Sequence, residues 1–104
     1  MIKDWKLKLR YGRLKTPFTH YTLIAPARVE KYIEDFDAEI GKAWIGMKIW
    51  ATNEDESAEV YQSVADQTGL IITGNILVYN TEPVNPPKEN PYAYDIQFNY
   101  YTDN

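Results

Sequence analysis

The chain has 104 residues, 44% hydrophobic and 14% aromatic with nine tyrosines, which is enough for one hydrophobic core and too apolar for a disordered chain. With no cysteine and one histidine, disulfides, thiolate sites and zinc-ligand spacings are excluded, and no metal or cofactor is expected. The net charge of −4 is uneven: residues 1–15 hold six basic groups and one acid (+5), the rest five basic and fourteen acidic (−9), a balance that argues against a nucleic-acid binder.

Residues 4–11 alternate cleanly, with Trp5, Leu7, Leu9 and Tyr11 against Lys6, Lys8 and Arg10. The pattern predicts a half-buried strand with a cationic outer face. Lysines on such a face keep an exposed strand from pairing with other chains, a reading favoured over a phosphate- or carboxylate-binding strip. The same stretch has no apolar run, so neither a signal peptide nor a membrane span is expected, and a cytoplasmic location is the default expectation.

Residues 12–17 read as a connection and 18–25 as a second strand, the hairpin partner of the first. His20 lies in it. An imidazole can serve as a general base near neutral pH, but with no nucleophile in a recognisable setting a structural role is favoured. Residues 26–40 fit two templates. Val29, Ile33, Phe36 and Ile40 have helical spacing and Pro26 suits a first turn; Ala25 is a poor N-cap, and VEKYI suits a strand. The balance leans to a helix or a helical turn, near 26–37, with a strand close behind. Glu34, Asp35, Asp37 and Glu39 lack the glycine turn and ligand spacing of a calcium loop and read as a solvated face.

Residues 42–80 are the organising unit, a strand, a capped helix and a strand. Ala43, Ile45, Met47, Ile49 and Ala51 alternate with Trp44, Gly46, Lys48, Trp50 and Thr52, so one face belongs under a helix. Asn53 caps a helix over 54–68, with Glu56 closing a capping box and Glu54, Asp55 and Glu56 at the positive end of the dipole. Ala58, Tyr61, Val64, Ala65 and Thr68 form its buried stripe. Gly69 suits the left-handed terminus. Residues 70–80 resume as a strand interrupted at Gly74, parallel to the first and able to leave room for another strand between them.

Pro83, Pro86, Pro87 and Pro91 mark a stiff crossover to the last strand. There Tyr92, Tyr94, Ile96, Phe98 and Tyr100 are expected on one face against Ala93, Asp95, Gln97, Asn99 and Tyr101. The terminal three residues are expected to fray. No phosphate loop, dinucleotide fingerprint, nucleophile elbow or HExxH occurs.

The sharpest candidate surface is the outer face of the central strand. Trp44 and Trp50 flank Gly46 and Lys48, a floor between aromatic walls on which a planar ligand could stack while Lys48 meets an anion. Burial of this face as a second core is the favoured alternative.

The stretches DWKLKLRYG, KAWIGMKIWA, TGNILVY with TEP, and PPKENPYAYDIQF resemble a group of small uncharacterised bacterial proteins. The resemblance spans most of the chain and carries no catalytic residue; it implies a compact bacterial α+β domain and no mechanism.

The expectation is therefore one α+β domain over 1–104, with a largely antiparallel sheet of about five strands, the helix at 54–68 on one face, and a ferredoxin-like split βαβ topology. Three function classes follow in order. The first is a non-enzymatic protein-binding module, an inhibitor or immunity-type protein. The second is a binder of a small anionic or planar ligand through Trp44, Lys48 and Trp50. The third is an enzyme centred on His20. No nucleic-acid or membrane partner is expected, and the oligomeric state is open.

Overall fold

Alternation in the central strand and the N-cap that follows it organise the chain. The computed structural model describes residues 4–12 and 14–102. Lys3 and Arg13 of the basic segment, and 103–104 of the end expected to fray, lie outside them. The elements are α1 (Asp4–Arg10), β1 (Thr19–Val29), a 3₁₀ turn (Glu34–Phe36), β2 (Gly41–Ala51), α2 (Glu54–Thr68), β3 (Leu70–Ile72), β4 (Leu77–Asn80) and β5 (Tyr92–Tyr101).

The five strands form one open antiparallel sheet, and α2 lies on one face. The order is β3-β1-β2-β5, with β4 beside β3 on the same edge of β1. The fold is thus α+β, but this order is not ferredoxin-like. The expected βαβ unit is present as β2–α2–β3, its two strands both antiparallel to β1, which lies between them.

The core is the face the alternation assigned to α2. Ala43, Ile45, Met47, Ile49 and Ala51 are buried, as are Leu23, Ala25, Ala27 and Val29 of β1 beside them. Tyr61 and Ala65 of α2 close this layer, with Ala58 and Val64 half-buried against it. The fully buried Tyr61 donates its hydroxyl to the Ile45 carbonyl at 2.6 Å, and burial pushes its phenol up to about 12. Asn53 Oδ1 accepts from the Glu56 N–H at 2.8 Å, and the Glu56 carboxylate reaches back to the Thr52 N–H at 2.7 Å. At the other end Gly69 is left-handed, φ 82°, its N–H on the Ala65 carbonyl.

Three expectations are corrected. Residues 4–11 do not form a strand: 4–10 are helical, and no described strand pairs with them. The partner of β1 is accordingly β2, in register from Thr19↔Ala51 to Val29↔Gly41. Residues 26–29 continue β1 instead of starting a helix, and the helical turn expected as the alternative is confined to 34–36. Pairing on both sides and burial of Ala25, Ala27 and Val29 outweigh the helical spacing there. An Ile33↔Ala38 bridge closes the turn, with Asp37 left-handed at φ 50°.

The last strand changes face part-way. Lys48 pairs with Tyr94 and Gly46 with Gln97, so Asp95 and Ile96 stand opposite Met47 alone. Asp95 takes φ 51° at this bulge, a conformation Asp tolerates better than most residues. Tyr92 and Tyr94 therefore share the outer face with Trp50 and Lys48, while Phe98 and Tyr100 stand beside Ile45 and Ala43 on the inner one. The single aromatic face expected for this strand is split.

Pro26 explains the break between β3 and β4. The His20 and Pro26 carbonyls accept from the Thr81 and Thr73 N–H groups, so the even-numbered residues of β1 turn their polar groups to that edge. Pro26 brings no N–H there. Residues 73–76 stand opposite Ala25 and Pro26 alone, and a Cβ on Gly74 would lie 2.6 Å from Pro26 Cγ.

Candidate functional site

The four residues singled out in the sequence share the outer face of the sheet, the one without α2, but they stand in two different settings. At one end the crossover 81–91 runs from β4, at one edge, to β5 at the other, and it is fastened to the sheet by side-chain hydrogen bonds. Trp50 is 3% exposed, and its indole N–H donates to the Asn85 carbonyl at 2.9 Å. The Tyr92 hydroxyl donates to the Pro86 carbonyl at 2.5 Å, and Lys88 Nζ lies 4.4 Å from the Tyr92 ring centroid.

His20 sits in the middle of this junction, buried and opposite Trp50 in register, their ring centroids 5.0 Å apart and edge-on. The oxygen of Tyr94 accepts from the N–H groups of Val84 and Asn85, each at 3.0 Å. Its hydrogen is then directed at His20 Nε2, 2.7 Å away. With Nε2 accepting, the proton of a neutral ring is on Nδ1, which lies 3.1 Å from both the carbonyl and the hydroxyl of Thr81. Burial, aided by the nearby charge of Lys48, lowers the His20 pKa; the Thr81 carbonyl and Glu82 act the other way. The ring is neutral at pH 7, and both its nitrogens engage protein groups.

At the other end Trp44 is 40% exposed, opposite Pro26 on β1 and Asn99 on β5, with the Tyr101 ring 6.1 Å away. Between the tryptophans, Lys48 forms an ion pair with Asp95, which also accepts from Gln97 Nε2 at 3.1 Å. The Lys48 ammonium is the main cause holding the Asp95 carboxyl below its usual range. Above Gly46 there is a shallow depression of about 170 Å³, lined by Thr22, Ile24, Lys48, Asp95 and Gln97 among others. Trp50 is covered and Trp44 open, so they are not a pair of facing walls.

Larger hollows lie elsewhere. One of about 360 Å³ separates α1 from the His20 end of the sheet, and one of about 560 Å³ lies between residues 30–35 and the end of α2. Among the described residues no group of three His, Asp or Glu side chains is placed to hold a metal ion, and no helix is long and apolar enough to cross a membrane.

What the sequence did not indicate is the apolar patch that surrounds Trp44. Register places Tyr79 beside Thr22, Leu77 beside Ile24 and Ile71 beside Arg28, all on the outer face. Tyr79, Leu77 and Ile71 are 52%, 43% and 38% exposed. Ile24, Pro26 and Gly46 lie at the centre of this surface, between those side chains and Trp44. Alternation in 77–80 carried part of this signal; the pairing of β4 with β1 carried the rest. Comparison of the chain with protein-family models, curated proteins and solved structures gives no match.

Proposed function

We propose that this chain is a non-enzymatic protein-binding module, an inhibitor or immunity-type protein, whose partner docks on the outer sheet face around Trp44, Leu77 and Tyr79. The observation that carries the reading is the patch itself. Four large apolar side chains, each more than a third exposed, lie on one face of adjoining strands around Ile24 and Pro26. Contiguous exposed apolar surface of this kind marks interaction sites, and tyrosine and tryptophan are enriched where binding energy concentrates.

Charge narrows the partner. Lys48 is matched by Asp95 and Arg28 by Glu30, so these two cations beside the patch are neutralised within the chain. The partner is therefore a protein surface with an aliphatic or aromatic centre, rather than a phosphate or carboxylate ligand. Two further observations favour this class over the others. The depression above Gly46, on the floor between Trp44 and Trp50, is smaller than the roughly 300–1,000 Å³ usual for small-molecule sites, whereas the hollow of about 360 Å³ lined by His20 is within that range. His20 has no ring nitrogen left for a substrate.

The test compares three proteins as bait in lysate: the unaltered chain, a Trp44→Asp/Tyr79→Asp variant, and a Glu59→Lys control on α2. A protein retained by the first and third but not the second, with amide protection on β1, β2 and β4, supports the reading. Retention of a small molecule instead, capture indifferent to Trp44 and Tyr79, or self-association through the outer face would each overturn it.

A further inference from the structure

Residues 5–11 carry a strand pattern in a helical segment. On a helix Trp5 and Leu9 share one side and Leu7 and Tyr11 point away, whereas in a strand all four would line one face. The consequence is visible: Leu7 is 52% and Tyr11 72% exposed. No Cα of α1 comes within 8 Å of any other helix or strand among the described residues. Trp5 and Leu9 are half-buried, and Lys6, Leu9 and Arg10 line the hollow beside His20, but no hydrogen bond among the described residues ties this short helix to the sheet.

The sheet has a vacancy of matching length. Because the even-numbered residues of β1 turn their backbone polar groups to β3 and β4, those of β2 turn theirs to β5. Gln97, Asn99 and Tyr101, paired with Gly46, Trp44 and Lys42, then face β2, and Ile96, Phe98 and Tyr100 direct N–H and C=O outward. No described strand pairs with that side of β5. Beyond the Asp95 bulge the free run covers 96–101, about the length of the 5–11 segment.

Charge indicates what fills it. Asp95 flanks one end of the run, its charge already matched by Lys48. At the other lies the turn bearing Glu34, Asp35, Asp37 and Glu39, held to β5 by Phe36 against Phe98, ring centroids 5.6 Å apart, and by the Tyr100 hydroxyl on the Glu39 carbonyl at 2.9 Å. Lys6, Lys8 and Arg10 complement this acidic border, and the +5 of residues 1–15 complements the −9 of the rest. We infer that residues 5–11 form a strand-exchange arm: in a second copy of this chain they pair with the 96–101 edge of β5, each copy lending its arm to the other. Residues 12–18 give the arm a reach of roughly 20 Å, and the reciprocal exchange closes a two-fold dimer. This edge is distinct from the outer face assigned to a partner above.

Sedimentation velocity over a concentration series, with amide hydrogen exchange at each end of it, tests the inference. A Leu7→Asp/Tyr11→Asp variant alters only exposed side chains. Lys6→Glu/Lys8→Glu/Arg10→Glu reverses the charge of the arm. The unaltered protein should dimerise, with the Ile96, Phe98 and Tyr100 amides becoming protected as the dimer forms. Each variant should weaken the dimer by about tenfold or more while thermal unfolding of the monomer is unchanged. A monomer throughout, a dimer indifferent to both variants, or protection of these amides that does not depend on concentration would overturn it.

Discussion

Tyr94 gives its hydroxyl hydrogen to Nε2 of His20 at 2.7 Å while its oxygen takes the Val84 and Asn85 N–H groups at 3.0 Å each. One hydroxyl thus joins the outer face of the sheet to the crossover that spans it. Tyr94→Phe removes three hydrogen bonds and leaves a buried imidazole nitrogen without its donor. A loss of about 1–3 kcal/mol is expected in urea unfolding. A midpoint equal to that of the unaltered protein would mean that water replaces the hydroxyl there.

Stability should depend on pH through His20. Its folded pKa lies below the unfolded value of 6.5 because burial disfavours the imidazolium. The unfolded chain therefore binds the proton first. The stabilisation is complete above pH 6.5 and is lost as the pH falls from there through the folded pKa. His20 is the only histidine, so a His20→Gln variant, although less stable, should show a flat urea midpoint between about pH 7.5 and 5.5. A slope shared by both proteins would place the titration elsewhere.

Asn53→Ala removes the acceptor for the Glu56 N–H at the start of α2. The expected cost is about 1 kcal/mol by thermal unfolding. Asn53→Ser, which keeps a capping oxygen, should recover most of it.

Gly74→Ala places a methyl group 2.6 Å from Pro26 Cγ, and overpacking of this kind costs about 1–3 kcal/mol. In the Pro26→Ala background the same substitution should cost less. The double-mutant cycle should thus give a coupling energy; strict additivity would show that the strand yields without resistance.

The parts of the fold legible in the sequence are those fixed by neighbours close in the chain. Asn53, Glu56 and Gly69 bound α2 at Glu54–Thr68 because caps are local chemistry, and the alternation in β2 marks its buried face for the same reason. Segments decided by distant contacts were not legible. Residues 4–11 have the period of a strand, yet no described strand pairs with them. Pro26 resembles a helix start until Ala25, Ala27 and Val29 are seen buried beside Ile45, Ala43 and Gly41. The bulge at Asp95 moved Tyr94 to the outer face, and alternation has no means of registering one residue in a left-handed conformation. In the candidate site, the shared face of Trp44, Lys48 and Trp50 could be read from period two, whereas the place of His20 beside them depends on the pairing of β1 with β2. That Trp50 is covered and Trp44 open depends on a carbonyl thirty-five residues away, at Asn85.

The crossover has a consequence for how the molecule opens. It connects β4 and β5, at opposite margins of the sheet, and the bonds of Trp50, Tyr92, Tyr94 and His20 hold it down between them. Neither margin can peel away without loosening the strap that secures the other. Edges of a sheet ordinarily fray as separate, low-cost units; here the two outermost ribbons are tied into one cooperative opening event.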